Sequence, residues 1–425
     1  MAADTIFALS SGRPPAAVSI IRISGPRAHE AAKSIAGSLP EPRMAAVREL
    51  RHPDSGELLD KALVLRFDGP ASSTGEDIVE FQCHGGRAVV DALLRALASI
   101  EGLREARPGE FTRRAFENGR IDLTEAEGLA DLIEAETEGQ RKAALAIAEG
   151  TLRKQVGAWR DRLLELTARA ERAIDYDEDD EAIDPSLLRA CEGLAEELQL
   201  WLDRPRVETL KDGVRVVVAG PPNAGKSSLI NALSGSDRAI VTDIPGTTRD
   251  HIEVPLSVAG LPILLTDTAG LRATEDPVER IGVARASMLT EAADVLVWLG
   301  DPQSAPQHPR LIRVHAKADL SGRPVPSGST PVSSVTGAGL QQLLEQVEAS
   351  ARSLLPAADA ITVNRRQASL LEDAAFAMRR AAAAGELAIA AEELRHARVA
   401  FDRLTGAAGV EDVLDALFSR FCLGK

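Results

Sequence analysis

The sequence of 425 residues is poor in cysteine and in aromatic side chains. Its three cysteines, Cys83, Cys191 and Cys422, lie far apart and form no Cys-x-x-Cys pair, so we expect neither a disulfide framework nor a zinc ribbon. Aromatic residues make up 3% of the chain, which argues against an aromatic platform for stacking nucleic-acid bases. These two shortages exclude small disulfide-rich secreted proteins and aromatic single-strand binders.

The chain also lacks a long apolar run. No stretch approaches the roughly 18 apolar residues that a membrane-spanning helix needs. The first residues, Met-Ala-Ala-Asp-Thr-Ile, have neither the basic start nor the apolar core of a signal peptide. We therefore expect a cytoplasmic protein with no membrane partner.

Positive charge is in short supply as well. The chain carries 49 Lys and Arg against 64 Asp and Glu, a net charge of −15. Because phosphate binding needs cations that replace counterions, this excess argues against a general nucleic-acid coat. Most of it lies in residues 119–210, which carry 12 basic and 23 acidic residues. A nucleic acid held locally, together with a partner, is compatible with that distribution.

The pattern along the chain separates four segments of a multidomain protein. Residues 1–118 mix short apolar runs with turns and predict an α+β domain, with a helical pattern over Arg87–Ile100. Residues 119–210 and 356–425 are helical in pattern, whereas 211–355 alternate apolar strands with helices, as in a parallel α/β domain. The simplest architecture is a discontinuous helical domain interrupted by the α/β domain. Two independent helical segments are the alternative.

Specific strands and helix starts are predicted within these segments. Thr124–Glu127 fits a capping box, and Asp184-Pro185 fits the cap and first turn of another helix. The strand candidates are Val18–Ile23, Ala62–Phe67, Val214–Ala219, Pro262–Thr266, Val295–Leu299 and Leu311–His315.

The clearest motif is the octapeptide Gly-Pro-Pro-Asn-Ala-Gly-Lys-Ser at 220–227, which matches the phosphate-binding pattern GxxxxGK[ST]. It follows the strand Val214–Ala219 and precedes the helical run Ser228–Leu233, as a P-loop requires. Glycines let backbone N–H groups turn towards phosphate oxygens at a helix N-terminus. We expect Lys226 to reach the β- and γ-phosphates and Ser227 to ligate Mg²⁺. A plain glycine-rich turn is the alternative, and the strand–loop–helix order disfavours it.

Two further motifs follow in the order that a nucleotide switch needs. Asp267-Thr268-Ala269-Gly270 comes after a strand, where its carboxylate can hold Mg²⁺ through water and the N–H of Gly270 can contact a γ-phosphate. The second motif, Asp243–Asp250, lies between the Gly220–Ser227 loop and Asp267. If the hydroxyl of its Thr248 binds Mg²⁺, the conformation of this segment would depend on whether a γ-phosphate is bound.

The base-reading segment departs from the usual pattern. Guanine is normally read by Asn-Lys-x-Asp, and this chain has Ala316-Lys317-Ala318-Asp319. Ser333-Ser334-Val335 takes the place of the usual Ser-Ala-Lys loop. We expect Asp319 to confer a preference for guanine, with an affinity lowered by loss of an amide worth about 1–3 kcal/mol.

Across essentially the whole chain these residues resemble the MnmE (TrmE) family of tRNA-modification GTPases. The segments that carry the resemblance are Ile20–Gly25, Thr74–Asp77, Cys83–Gly86, Arg107–Thr112, Gly246–Asp250, Asp267–Leu271 and Phe421–Lys425. The resemblance implies an N-terminal folate-binding and dimerisation domain (1–118), a helical domain in two parts (119–210 and 356–425) and an inserted Ras-like P-loop G domain (211–355).

The resemblance also implies an activity and partners. The expected protein is a potassium-activated GTP hydrolase and homodimer that works in a heterotetramer with the flavoprotein MnmG. Together they would carry out 5-carboxymethylaminomethyl-type modification of wobble uridine in tRNA, with a one-carbon unit from 5,10-methylene- or 5-formyl-tetrahydrofolate. One alternative is a regulatory or ribosome-assembly GTPase switch without modification chemistry. Another is a degenerate P-loop protein that binds nucleotide but barely hydrolyses it.

Site residues follow from the motifs and the resemblance together. Leu271 has no polar group with which to orient water, so other residues must do so. The motifs and the resemblance together assign catalysis to Glu279, Asn223, Lys226 and Arg249. The resemblance assigns a potassium ion to Asn223, Thr242, Ile244 and Thr247, magnesium to Ser227 and Thr248, and folate to Arg22, Glu80, Arg120 and Lys425. Cys422 is either active in the modification chemistry or a small buried thiol. The nucleotide-binding residues are Asn223, Ala224, Gly225, Lys226, Ser227, Ser228, Thr242, Asp243, Ile244, Pro245, Gly246, Thr247, Thr248, Asp267, Thr268, Ala269, Gly270, Lys317, Asp319 and Ser333.

Overall fold

A computed structural model describes residues 4–176, 183–204, 210, 212–235, 239–241, 253–267, 292–355, 362–408, 411–421 and 424. They fall into two compact units, the first built from 1–130, 152–156 and 402–425 and the second from 131–151 and 157–401. Within the described ranges, no helix has the length and apolar character needed to cross a membrane.

Strands and helices are numbered along the chain. The strands are β1 Thr5–Leu9, β2 Val18–Ser24, β3 Ala45–Arg51, β4 Leu58–Phe67, β5 Ile78–His84, β6 Leu103–Glu105, β7 Val214–Ala219, β8 Ala239–Val241, β9 Glu253–Val258, β10 Leu261–Asp267, β11 Val295–Trp298, β12 Leu311–Ala316 and β13 Thr330–Val332. The helices are α1 Ala28–Ala36, α2 Arg87–Ala98, α3 Glu110–Glu117, α4 Leu123–Glu134, α5 Glu138–Ala148, α6 Thr151–Tyr176, α7 Pro185–Leu202, α8 Lys226–Ser234, α9 Leu340–Arg352, α10 Arg365–Ala382, α11 Leu387–Thr405 and α12 Glu411–Ser419.

The first unit is organised by a sheet in the order β3-β4-β5-β2-β1-β6, antiparallel except for the β1–β6 pair. Side chains alternate between its faces. Ile21, Ile23, Val79 and Phe81 pack under α1 and α2 in one apolar core. The intervening residues of β2 and β5 therefore point to the opposite face, where Phe111 of α3 packs with Ile6 and Ala8 of β1.

Glycines permit two close backbone approaches in this unit. A Cβ on Gly85, just before α2, would lie 2.3 Å from the carbonyl oxygen of Ala16. Gly109, at the start of α3, has φ 70°, and a Cβ there would lie 2.4 Å from the carbonyl oxygen of Phe418 on α12. These approaches explain why the Gly-Gly and Pro-Gly-Glu motifs carry glycine at these positions.

The cap of helix α4 lies two residues earlier than predicted. Asp122, not Thr124, accepts the backbone N–H of Glu125 (2.9 Å), and the Glu125 carboxylate accepts the N–H of Asp122 (2.7 Å). The carboxylate of Asp122 also takes the Thr124 hydroxyl as a donor, so that threonine serves the cap without being it. Helix α7 begins as predicted, with Asp184 capping and Pro185 in the first turn.

The second unit contains a sheet in the order β13-β12-β11-β7-β10-β9-β8. The strands from β13 to β10 are parallel neighbours, but β9 and β8 are antiparallel. The four strands predicted in this domain, β7, β10, β11 and β12, are thus parallel as expected, whereas the antiparallel strands β8 and β9 were not predicted. The tight β9–β10 turn has Ala259 at φ 50° and Gly260 at φ 79°, the two positive values typical of a type I′ hairpin.

Helices from before and after this sheet in the chain pack on each other. Helix α7 precedes β7, α10 follows α9, and the two helices are packed together. Trp159 of α6 meets Trp201 of α7 edge-on at 5.1 Å and stacks on Phe401 of α11 at 6.2 Å between ring centroids. A buried aromatic cluster thus joins helices separated by about half the chain.

An ion-pair network fixes α3 in the first unit. The carboxylate of Glu110 accepts hydrogen bonds from the Arg104 guanidinium (2.9 Å) and from the backbone N–H of Arg107 (2.8 Å). Arg114, itself buried, contacts Glu110 and Glu76. Burial by itself would raise the pKa of Glu110, but these donors outweigh it and lower the pKa to about 2.

The substitution Glu110→Gln should destabilise the first unit in a pH-dependent way. Because the folded pKa lies below the ordinary 4.5, ionised Glu110 stabilises the fold above that pH, and the contribution is lost as pH falls towards 2. We expect a loss of about 1 kcal/mol at neutral pH, allowing for solvent screening, and a smaller loss at about pH 3. Urea unfolding followed by circular dichroism measures both. Glu117→Gln, at an exposed ion pair with Arg113, is the control, and an equal loss there would contradict the assignment.

Candidate functional site

The loop at residues 220–227 has three residues with positive φ. Gly220, Asn223 and Gly225 have φ values of 153°, 59° and 97° and carry the chain from the end of β7 into α8. Gly225, at the N-cap position of α8, has no side chain that could accept a hydrogen bond from the first N–H groups of the helix. A turn of this kind in front of a helix N-terminus is suited to phosphate oxygens.

Lys226 and Ser227 begin helix α8, and both have polar partners. The Lys226 ammonium is buried and donates to the carbonyl oxygens of Gly220 and Pro221, both at 3.0 Å. The Ser227 hydroxyl donates to Asp267 Oδ2 at 2.7 Å. Asp267 is 1% exposed at the end of β10, so the sheet delivers a buried carboxylate to the first turn of α8.

The segment after β12 lies beside the same loop. Lys317 has φ 58° and donates from its ammonium to the Asn223 carbonyl oxygen at 2.8 Å. The Ser333 hydroxyl donates to Asp319 Oδ1 at 2.6 Å and accepts the N–H of Thr336 at 3.1 Å. The hydrogen bond from Ser333 lowers the pKa of Asp319, which keeps that carboxylate ionised as an acceptor for N–H donors.

Ala316 itself contributes no polar side-chain atom to this arrangement. It is partly buried against the core of the sheet at the end of β12. The neighbouring Val335 side chain is 86% exposed. Of the two departures from the usual guanine-reading pattern, Ala316 therefore packs on the apolar core, and Val335 is exposed.

Part of the predicted site lies outside the described residues, and nothing is stated of its geometry. This part comprises Thr242, Asp243, Ile244, Pro245, Gly246, Thr247, Thr248, Arg249, Thr268, Ala269, Gly270, Glu279, Cys422 and Lys425. The described nucleotide-site residues, by contrast, meet at one edge of the sheet.

A second group of predicted residues meets in the first unit. Arg22 and Glu80 are paired in the β2–β5 register, and their side chains form a half-buried ion pair at 2.8 Å. They project on the face of the sheet opposite the main core, and the Arg22 guanidinium lies 5.6 Å from the Phe111 ring centroid. Arg120 lines two cavities together with Arg22.

These two cavities differ in character. One, of about 430 Å³, has apolar walls from Phe111, Ala115, Ile121 and Leu129. The other, of about 340 Å³, is lined by Arg22, Arg43, Phe67, Ala71, Ser72, Ser73, Ile78, Glu80 and Arg120. Arg22, Glu80 and Arg120, which the resemblance assigns to one site, line these cavities together with residues that were not predicted for it: Arg43, Phe67, Phe111 and the two serines. The serines directly precede the Thr74–Asp77 motif, which is the one signal that pointed to them.

The Thr74–Asp77 motif has a clear structural role beside these cavities. The buried hydroxyls of Ser24 and Thr74 lie 2.8 Å apart, and Ser24 also donates to Glu76 at 2.8 Å. Arg114 holds the same carboxylate. The loop that bears Ser72 and Ser73 is thus tied to β2 and α3 through buried polar contacts.

The Cys83–His84 pair has satisfied, structural surroundings. Burial raises the pKa of the Cys83 thiol to about 11, so it is protonated at neutral pH and is not a nucleophile. His84 is the last residue of β5, and its Nδ1 lies 2.7 Å from Asp60 Oδ1, so the ring has a partner.

Two family models match most of the chain. A model of the MnmE helical domain matches residues 123–422, and one described as "GTP-binding protein TrmE N-terminus" matches residues 5–120. The tRNA modification GTPase MnmE of Erythrobacter litoralis (strain HTCC2594) is 51% identical over 426 residues, covering 99% of this chain and 100% of that protein.

The MnmE of Novosphingobium aromaticivorans is 49% identical over 435 residues, with 99% of this chain and 100% of that protein covered. Among solved structures, the G domain of the T. maritima FeoB iron transporter is 28% identical, with 32% of this chain and 98% of that chain covered and a TM-score of 0.24. With both domain models matched and about half of all residues shared with relatives along their whole length, the chain belongs to the MnmE family of tRNA modification GTPases.

Proposed function

We propose that this protein hydrolyses GTP at the Gly220–Ser227 loop and uses the cycle in modifying wobble uridine of tRNA. As a member of its family it is a GTP hydrolase that acts in tRNA modification. The single observation that supports placing hydrolysis here is the hydrogen bond of Ser227 to the buried Asp267 beside Lys226. The 5-carboxymethylaminomethyl product and the flavoprotein partner MnmG belong to the proposal through family membership.

Magnesium fits the residues at this loop. A hydroxyl and a buried carboxylate are hard oxygen donors, and Mg²⁺ is held in nucleotide sites by few protein ligands and by phosphates. Ser227 would hold the ion directly, Asp267 through water, and Thr248 as a further ligand. The ion would neutralise phosphate charge. Lys226, now bound to two carbonyl oxygens, would exchange them for phosphate oxygens.

Potassium is proposed as the fixed cation of hydrolysis. The Lys317 ammonium holds the backbone of Asn223 through its carbonyl oxygen, and the side-chain amide oxygen of Asn223 would be a ligand for the cation. Thr242, Ile244 and Thr247 complete the proposed set, with Glu279 positioning water and Arg249 adding positive charge. Leu271 has no polar atom with which to orient water, which supports the need for these groups.

Folate, as 5,10-methylene- or 5-formyl-tetrahydrofolate, is proposed for the two cavities of the first unit. Arg22, Arg120 and Lys425 would meet its carboxylates, and Glu80 would accept an N–H donor of the ligand. The apolar walls around Phe111 and Leu129 suit its ring systems. Arg120 is a guanidinium in place of a common lysine and keeps the charge. Homodimerisation through residues 1–118 is proposed with it.

The domain organisation is proposed on the same basis. The packing of α7 on α10 supports a G domain (211–355) inserted in a helical domain (119–210 and 356–425), because these helices flank the sheet in sequence. Residues 1–118 form the proposed N-terminal domain.

Nucleoside analysis of tRNA from a strain lacking the protein tests the whole proposal. We expect loss of the 5-carboxymethylaminomethyl group from wobble uridine, restored by the wild-type chain but not by Lys226→Ala, because phosphate binding is lost. Unchanged wobble uridine would instead support a regulatory GTPase switch.

The substitution Ala316→Asn should strengthen GTP binding. It supplies the missing amide at the end of β12, next to a loop that Lys317 and Ser333 already hold in place. We expect the dissociation constant for GTP to fall roughly fivefold while ATP binding is unchanged. Titration with a fluorescent GTP analogue measures this, and Ala318→Asn, two positions on, is the control. Equal gains for both nucleotides would contradict guanine reading at this loop.

Turnover should depend on potassium through Asn223. Replacing potassium by sodium should lower the turnover number by about tenfold or more, since the smaller ion fits a potassium site poorly. Asn223→Gly removes the amide without strain at φ 59° and should abolish the difference between the two ions while GDP binding persists. Phosphate-release assays in the two salts measure it. Equal rates for the wild type in both salts would refute the potassium site.

A further inference from the structure

The charge of the smaller cavity is not balanced by the protein. Three guanidinium groups and one carboxylate line its 340 Å³. Arg22 is neutralised by Glu80 at 2.8 Å. Within the described residues, Arg43 and Arg120 have no carboxylate partner for their side chains. Arg43 and Arg120 are exposed and therefore solvated, and two such cations on one open cavity attract a ligand with more than one negative charge.

Arg43 is held in place by neutral groups. Its guanidinium donates to the carbonyl oxygen of Ala71 and lies 5.9 Å from the Phe67 ring centroid. Its own N–H donates to the carbonyl oxygen of Arg66 at 2.8 Å, in a turn where Arg43 has φ 64°. These contacts orient the planar fork while leaving its charge unneutralised, which favours carboxylate recognition.

The larger cavity adds a second requirement. It shares Arg22, Ser72, Ser73 and Arg120 with the smaller one, so one ligand can extend from one into the other. Its apolar walls suit flat rings, whereas the smaller cavity suits carboxylates. The ligand therefore has rings at one end and several carboxylates at the other, and Arg43, which is exposed, leaves that anionic end open to solvent.

We propose that Arg43 is a tail-recognition residue that makes this site selective for folates with a poly-γ-glutamate tail. The inference rests on the proposed binding of folate. Each added γ-linked glutamate brings one further carboxylate to the Arg43 end, and the open end sets no limit on tail length. Arg22, on the wall common to both cavities, acts on every folate, whereas Arg43 acts only on those that carry a tail.

Binding of three ligands to the full-length chain tests this selectivity. The ligands are 5-formyltetrahydropteroate, which has no glutamate, 5-formyltetrahydrofolate, and its triglutamate. We expect wild-type affinity to rise in that order. Arg43→Gln should weaken the triglutamate about tenfold, the monoglutamate less, and the tail-free ligand not at all. Arg48→Gln is the matched control, because Arg48 lies on the neighbouring strand β3, contacts Ser38, and lines neither cavity.

The outcomes separate the two proposals. If no ligand binds the wild type, folate binding itself is refuted. If all three bind but with equal affinity, or if Arg43→Gln weakens them equally, the tail-recognition role is overturned and folate binding stands. The proposal is supported if the dependence of affinity on tail length is lost in Arg43→Gln and retained in the control. In the wild type, that dependence should weaken as salt is added.

Discussion

The pairing of β7 with β10 is the constraint on which the nucleotide site depends. In their parallel register Val218 stands opposite Asp267, so the loop that leaves β7 begins beside that carboxylate. A carboxylate this deeply buried requires a donor, and the Ser227 hydroxyl in the first turn of α8 provides one. The loop, the helix and the acid are therefore fixed by one another.

In the first unit, the alternation of side chains along β2 and β5 fixes the positions of two charged residues. Because Ile21, Ile23, Val79 and Phe81 face the main core, the residue between each pair must face the other way. Those residues are Arg22 and Glu80, and the register sets them opposite each other. A one-residue slip of either strand would turn its charged residue towards the core, so the hydrophobic pattern that stabilises the sheet also enforces the ion pair.

Sequence patterns predicted most of what periodicity and local motifs control. Val214–Ala219 is an unbroken apolar run and was located correctly to the residue. Strand β9 was missed because Pro255 stands within it and proline usually argues against a strand. The start of α4 was misplaced because Asp122 and Thr124 are both good caps, and only tertiary packing decides between them. Arg43 was out of reach because its neighbours Phe67 and Ala71 are brought to it by the β3–β4 hairpin.

The loop around Ala316 is held in place without the asparagine that is usual at this position. The loop around it is held by Lys317 on the Asn223 carbonyl and by Ser333 on Asp319, and neither contact needs a side chain at 316. Ala316 instead packs on the apolar core of the sheet. An amide at this position would therefore act on the bound base more than on the loop. On the function that we propose, its absence would lower affinity for the base while the acceptor Asp319 stays in place, so this departure is compatible with the proposed guanine site.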